Sequence, residues 1–190
     1  MVLTGLALAA LSGCSDLTPA GLVQGVTLDP LTTDPAQIVV AVGLSEAVPA
    51  QPKTAALFLG YDVKDPVSAD IATEITLTID ADDRLAGRNV TDDQIFVFSI
   101  APQDAAALRQ TQSQIRDLKD DGVDGLGTLS IHVKLDCLPR NPGPDQTLST
   151  WLSTDQGVRF VPLTRETVLS DYINALAISD ITPPPACDAE

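Results

Sequence analysis

Ile71-Ala72-Thr73-Glu74-Ile75-Thr76-Leu77-Thr78-Ile79-Asp80 is the stretch on which the fold class turns. Ile71, Ile75, Leu77 and Ile79 share one side of a two-residue repeat, and Glu74, Thr76, Thr78 and Asp80 share the other. Successive side chains of a strand point to opposite faces, so the pattern predicts a strand with one face in a core and one in water. The same period recurs downstream in residues 127–137. There Leu129, Ile131, Val133 and Leu135 are expected to face the core, and Ser130, His132, Lys134 and Asp136 the solvent. Upstream, Ile38, Val40, Val42 and Leu44 alternate with Val39, Ala41 and Gly43. Both faces of that segment are apolar, which predicts a central strand. Residues 54–62, 95–100, 148–154 and 158–163 complete seven predicted strands, the last two joined as a hairpin around Asp155-Gln156-Gly157.

Between the fourth and fifth strands the period changes. Pro102 suits the first position of a helix and Asp104 puts a negative charge in its first turn. Leu108, Ile115 and Leu118 then fall on one stripe, with Ala105 and Thr111 beside it, and Gly122 is a natural stop. Arg109, Gln112, Arg116 and Lys119 point away from the stripe, so Gln112 is expected to be exposed and dispensable. A second, short helix is expected to be capped by Thr164 and to carry Val168, Leu169, Tyr172, Ile173 and Leu176 on one side. Together these features predict a mainly β fold: a β-sandwich of about seven strands, immunoglobulin-like in outline, with one inserted amphipathic helix. The alternative is a mixed α+β sheet with helices on one face.

The N-terminus carries a different signal. Val2 to Leu11 is uncharged and mostly apolar, and Leu11-Ser12-Gly13-Cys14 follows at once. This tetrad resembles the lipobox of bacterial lipoproteins, in which small residues admit the backbone to the signal peptidase and the cysteine thiol takes the diacylglycerol. The apolar run is far short of the ~20 residues that span a bilayer. The resemblance implies that residues 1–13 are a signal peptide, that Cys14 is lipidated, and that the mature protein is anchored in the bacterial cell envelope facing the periplasm. Ser15 rather than Asp follows the cysteine, which in enterobacterial lipoproteins favours the outer membrane over the inner. Residues 14–35, rich in Thr, Pro, Asp and Gly, read as a lipidated tether, and residues 36–190 as a single β-rich domain.

Cys137 and Cys187 are the remaining cysteines. Two thiols left over in an oxidising compartment are expected to pair, stapling the tail after Pro183-Pro184-Pro185 to the domain. A redox-active pair is disfavoured, since such cysteines usually lie close together in sequence.

The formal net charge is −15, and Glu occurs only at Glu46, Glu74, Glu166 and Glu190, the other acids being Asp. Asp favours turns and strand ends. The charge argues against nucleic acid, whose phosphates need clustered Lys and Arg. Its simplest role is solubility.

Catalytic constellations are thin. His132 is the only histidine. A relay needs a buried acid and a serine within reach, and Asp136 lies two side chains away on the same face. One histidine and a bridged cysteine pair do not make a typical zinc site. Asp120 to Gly125 starts like a calcium loop, but Ile131 stands where the closing Glu is needed. Asp80, Asp82, Asp83, Asp92 and Asp93 are expected to be solvated turn residues. Trp151 is expected in the core. No catalytic residue, metal or cofactor is expected. The function expected is that of a non-catalytic, lipid-anchored envelope protein, held to the membrane by its anchor and binding or scaffolding an envelope protein partner. The alternative is a loop-based binding module for a small molecule, glycan or cation.

Overall fold

The computed structural model describes residues 29–64, 70–80, 94–178 and 184–187. Seven strands form one antiparallel, nearly closed sheet: β1 (Val39–Leu44), β2 (Pro52–Val63), β3 (Ile71–Asp80), β4 (Gln94–Ile100), β5 (Gly125–Leu135), β6 (Thr147–Ser153) and β7 (Val161–Val168). Their order across the sheet is β5-β2-β3-β4-β1-β6-β7. The mainly β class, the seven strands and the inserted helix match expectation. The pairing is that of one continuous sheet. Among the described residues every ladder of the sheet is antiparallel, and the ladders trace no second, separately bonded layer.

β1 is central. Val40 lies between Phe98 of β4 and Leu152 of β6, and all six residues of β1 are buried. Its two faces serve two cores. Val40, Val42 and Leu44 join Leu57, Leu77 and Phe98 on the inner face, while Val39 and Ala41 join Val97, Trp151 and Phe160 in a smaller cluster on the outer face. Trp151 is therefore a packing residue, as expected.

α1 (Pro102–Asp120) links β4 to the distant edge strand β5 and packs across β3 and β2 on the inner face. Leu108 and Ile115 are each 1% exposed, and Leu118 is partly buried against the same core. The helix ends as its sequence predicts. Gly122 takes φ +76°, the Gly122 N–H bonds the Lys119 carbonyl, and the Val123 N–H bonds the Leu118 carbonyl, which satisfies the last carbonyls of the helix.

α2 (Leu169–Ile178) leaves β7 and crosses to the opposite edge of the sheet. The Tyr172 hydroxyl donates to the Val133 carbonyl of β5, and burial pushes the pKa of this phenol up to about 12. Thr164 does not cap this helix. It lies within β7, where its Oγ1 accepts from the Thr150 N–H, and Val168 closes the same strand, so the strand runs five residues past the boundary that sequence pattern suggested.

Several side chains depart from their expected environments. Ile79 is 56% exposed rather than inward. The pairing of β2 with β3 ends at Ala55 and Leu77, so Ile79 extends past its β2 neighbour and has only β4 beside it. Leu129 and Ile131 are only half-buried, because β5 is an edge strand.

Gln112 is buried where exposure was expected. It is 3% exposed, and its Nε2 donates to the carbonyls of Pro30 at 2.7 Å and Thr33 at 2.9 Å. Residues 29–35, which composition assigns to the tether, are laid along α1 as a strap. Arg116 donates to the Leu31 carbonyl, and Arg109 pairs with Asp34 at 3.0 Å. The Thr32 hydroxyl and the backbone N–H groups of Leu31 and Thr32 hold the Asp29 carboxyl below its usual range, and the Ala36 N–H and Arg109 do the same for Asp34. The Arg109–Asp34 pair is half-exposed and adds little; the buried amide of Gln112 carries the docking. Gln112→Ala is therefore expected to cost about 1–3 kcal/mol, the penalty of stripping partners from two backbone carbonyls. Urea denaturation with the fluorescence of Trp151 as probe would measure it, and a change below about 0.5 kcal/mol would show that the strap contributes nothing to the domain.

Candidate functional site

The sequence-designated residues fall in three places. Cys14, with the whole lipobox, lies outside the described residues, as do the acidic positions 81–93. Cys137 and Cys187 are bridged, with Cα atoms 4.8 Å apart. Around the bridge, the Leu138 N–H bonds the Pro185 carbonyl at 2.8 Å and the Cys187 N–H bonds the Leu138 carbonyl at 2.9 Å, a short parallel bridge that seats the tail beside buried Leu138. The pair is structural in its surroundings: the tail is sewn to the domain.

His132 lies on the outer face, as its strand parity requires, and is more than half exposed. Of its three partners only Ser130 belongs to its own strand; Glu74 and Phe58 come from other strands and were not legible from β5. Nδ1 is 2.9 Å from Glu74 Oε2 of β3, Nε2 is 3.1 Å from Ser130 Oγ, and the ring stacks on Phe58 of β2 with centroids 5.8 Å apart. The register explains the meeting. Ser130, Phe58 and Glu74 form one row across β5, β2 and β3, and His132 is the next same-face residue along β5. A serine, an imidazole and a carboxylate are thus aligned in relay order. Such a relay works by a shielded acid and by donors preorganised for an oxyanion. Here the His132 and Glu74 side chains are each 55% exposed, so water competes for every bond. The array ties β3 to β5 over β2, a surface contribution of about 0–1 kcal/mol.

A cavity of about 380 Å³ lies on the opposite, inner face, so it and the His132 array are separate features. Its walls are β2 (Leu59, Gly60, Tyr61), β5 (Gly125, Gly127, Thr128, Leu129), α1 (Ile115, Lys119) and the strap (Asp29, Pro30, Leu31). Two glycines shape it differently. At Gly125 a Cβ would sit 2.6 Å from the Tyr61 ring and 2.7 Å from the Asp62 carbonyl oxygen, so the Tyr61 ring, whose hydroxyl donates to the Val123 carbonyl, takes the place of a side chain. At Gly127 a Cβ would meet nothing within 4 Å. The inward row of β5 runs Leu135, Val133, Ile131, Leu129, Gly127, and the cavity opens where that row lacks its next apolar side chain. The missing residue is the signal by which sequence reading would find the cavity.

Among the described residues no group of three or more His, Cys, Asp or Glu is placed to hold a metal ion, and no helix is long and apolar enough to cross a membrane. Comparison with protein-family models, curated proteins and solved structures finds no match to this chain.

Proposed function

We propose that this chain is a non-catalytic, lipid-anchored protein of the bacterial cell envelope, facing the periplasm with the outer membrane favoured, whose β domain binds a protein partner or scaffolds an assembly. The observation that carries the reading is the tetrad Leu11-Ser12-Gly13-Cys14 directly after an uncharged apolar run. The Cys137–Cys187 bridge supports it from an independent direction, because such bridges persist in oxidising compartments. A domain held on a membrane by a single N-terminal anchor meets partners confined to the same surface, which favours association over turnover of a diffusing substrate.

Metabolic labelling with an alkyne-bearing fatty acid, followed by fractionation, tests the anchor. The wild-type chain is expected to take the label and to sediment with membranes. Cys14→Ala is expected to lose the label and to accumulate as an uncleaved or soluble species. A wild-type chain that takes no label and fractionates as soluble periplasm would overturn the reading.

A further inference from the structure

The two edges of the sheet are built differently. β7 carries Pro162, which has no N–H to offer, and Glu166 at φ +46°, which breaks the ladder. Such features deter a further strand. β5 has none of them over Gly125-Leu126-Gly127-Thr128-Leu129-Ser130-Ile131, a run without charge or proline. Its C-terminal half is met by α2 at one point, the hydrogen bond from Tyr172 to Val133. Its N-terminal half, among the described residues, pairs with β2 alone. There Leu126 is 64% exposed, and the 380 Å³ cavity opens beside Gly127 on the inner face.

We propose that the edge of β5 from Gly125 to Ile131 is a strand-addition site, which takes an extended segment of a partner protein and receives one of its apolar side chains in the cavity beside Gly127. Backbone pairing along an open edge supplies affinity, and a pocket for alternate side chains supplies selectivity. Leu59, Ile115 and Leu129 give the cavity an apolar side suited to a small aliphatic group, while Asp29, Lys119 and Thr128 line the rest. The surroundings set the flanks. Asp62, Asp120, Asp121 and Asp124 are exposed at this end of the sheet, against Lys64 and Lys119, so the field favours a segment whose apolar centre is flanked by Lys or Arg. The inference rests on the protein-binding reading above and gives it a surface and a kind of partner.

The test uses the full chain and three fluorescein-labelled heptapeptides: Lys-Val-Thr-Leu-Thr-Val-Lys, the same peptide with Glu at both ends, and the same peptide with Pro at its centre. Anisotropy is expected to show binding of the first, with the other two at least about tenfold weaker. Amide shifts in the NMR spectrum are expected to concentrate on residues 125–131. Gly127→Leu, which fills the cavity, and Leu126→Lys, which charges the edge, are each expected to weaken binding at least about tenfold. Circular dichroism should show both variants folded; the exposed position of Leu126 keeps the test alive if Gly127→Leu misfolds.

Equal binding of all three peptides, shifts elsewhere, or full binding by both variants would overturn the proposal. So would a concentration-dependent dimer abolished by Leu126→Lys, which would give the edge to a second copy. Exchange-protected amides at 125–131 that open when residues 15–28 are deleted would give it to the chain's own upstream segment. An acylated chain that binds no peptide loses this inference and keeps the anchor; a soluble, unlabelled chain that binds at 125–131 does the reverse.

Discussion

Cys187→Ser is expected to destabilise the domain by about 4 kcal/mol. The bridge joins residues 50 apart in sequence, and the chain-entropy cost of leaving that loop open in the unfolded state is about 4 kcal/mol. For a domain of this size that corresponds to a fall of about 8–16 °C in melting temperature. The native side of the equilibrium should change little at first, because the tail also holds the Leu138–Pro185 and Cys187–Leu138 backbone bonds. Two backbone bonds hold the tail less firmly than a covalent link, so tail amides should exchange faster in the variant. Cys137→Ser should match Cys187→Ser, and a reductant should bring the wild type to the same midpoint. Denaturant melts of the wild type with and without reductant, beside both variants, measure this. A loss below about 1 kcal/mol would mean that the bridge constrains little in the unfolded chain.

Ile115→Ala is expected to cost about 2–4 kcal/mol, as a truncation that leaves a cavity. Ile115 is 1% exposed on the face of α1 that meets the sheet, and it also forms part of the wall of the existing cavity. Truncation enlarges a space that is already open. The surrounding walls cannot close on it: Leu59 and Tyr61 are held in the β2 ladder, and the strap is pinned by Gln112. Leu118, half-buried on the same stripe, should cost less on truncation. Urea titrations of the two variants test the ranking. A negligible effect at Ile115 would mean that α1 does not pack here in solution.

Much of the fold was legible in short windows of sequence. Period-two alternation is local physics, set by the pleat of one strand, so six strands could be found from their own residues to within two positions, while β7 was placed too early in the chain. The bounds of α1 were legible for the same reason: Pro102 starts it, Gly122 stops it, and its apolar spacing names the buried stripe. The cysteine pair followed from counting the thiols that the lipobox resemblance leaves over. Local pattern is silent on which strand lies beside which. Sheet order, and hence one sheet rather than two layers, depends on pairings between residues far apart in sequence.

The errors share that cause. Gln112 is polar, and its own neighbours place it off the apolar stripe; only the carbonyls of Pro30 and Thr33, some 80 residues upstream, make its site an interior one. The strap itself has the composition of a linker, and it is ordered by side chains that belong to α1. His132 could be placed on the outer face by parity, but Glu74 reaches it only because β2 sets β3 and β5 in register on either side of itself. Sequence alone determined the identity and approximate length of α1 and of every strand before β7, and most of the inward faces, because those follow from local periodicity. Tertiary structure alone decided the edges, the cavity beside Gly127 and the partners of the buried polar groups, because each of these is a property of two or three segments brought together.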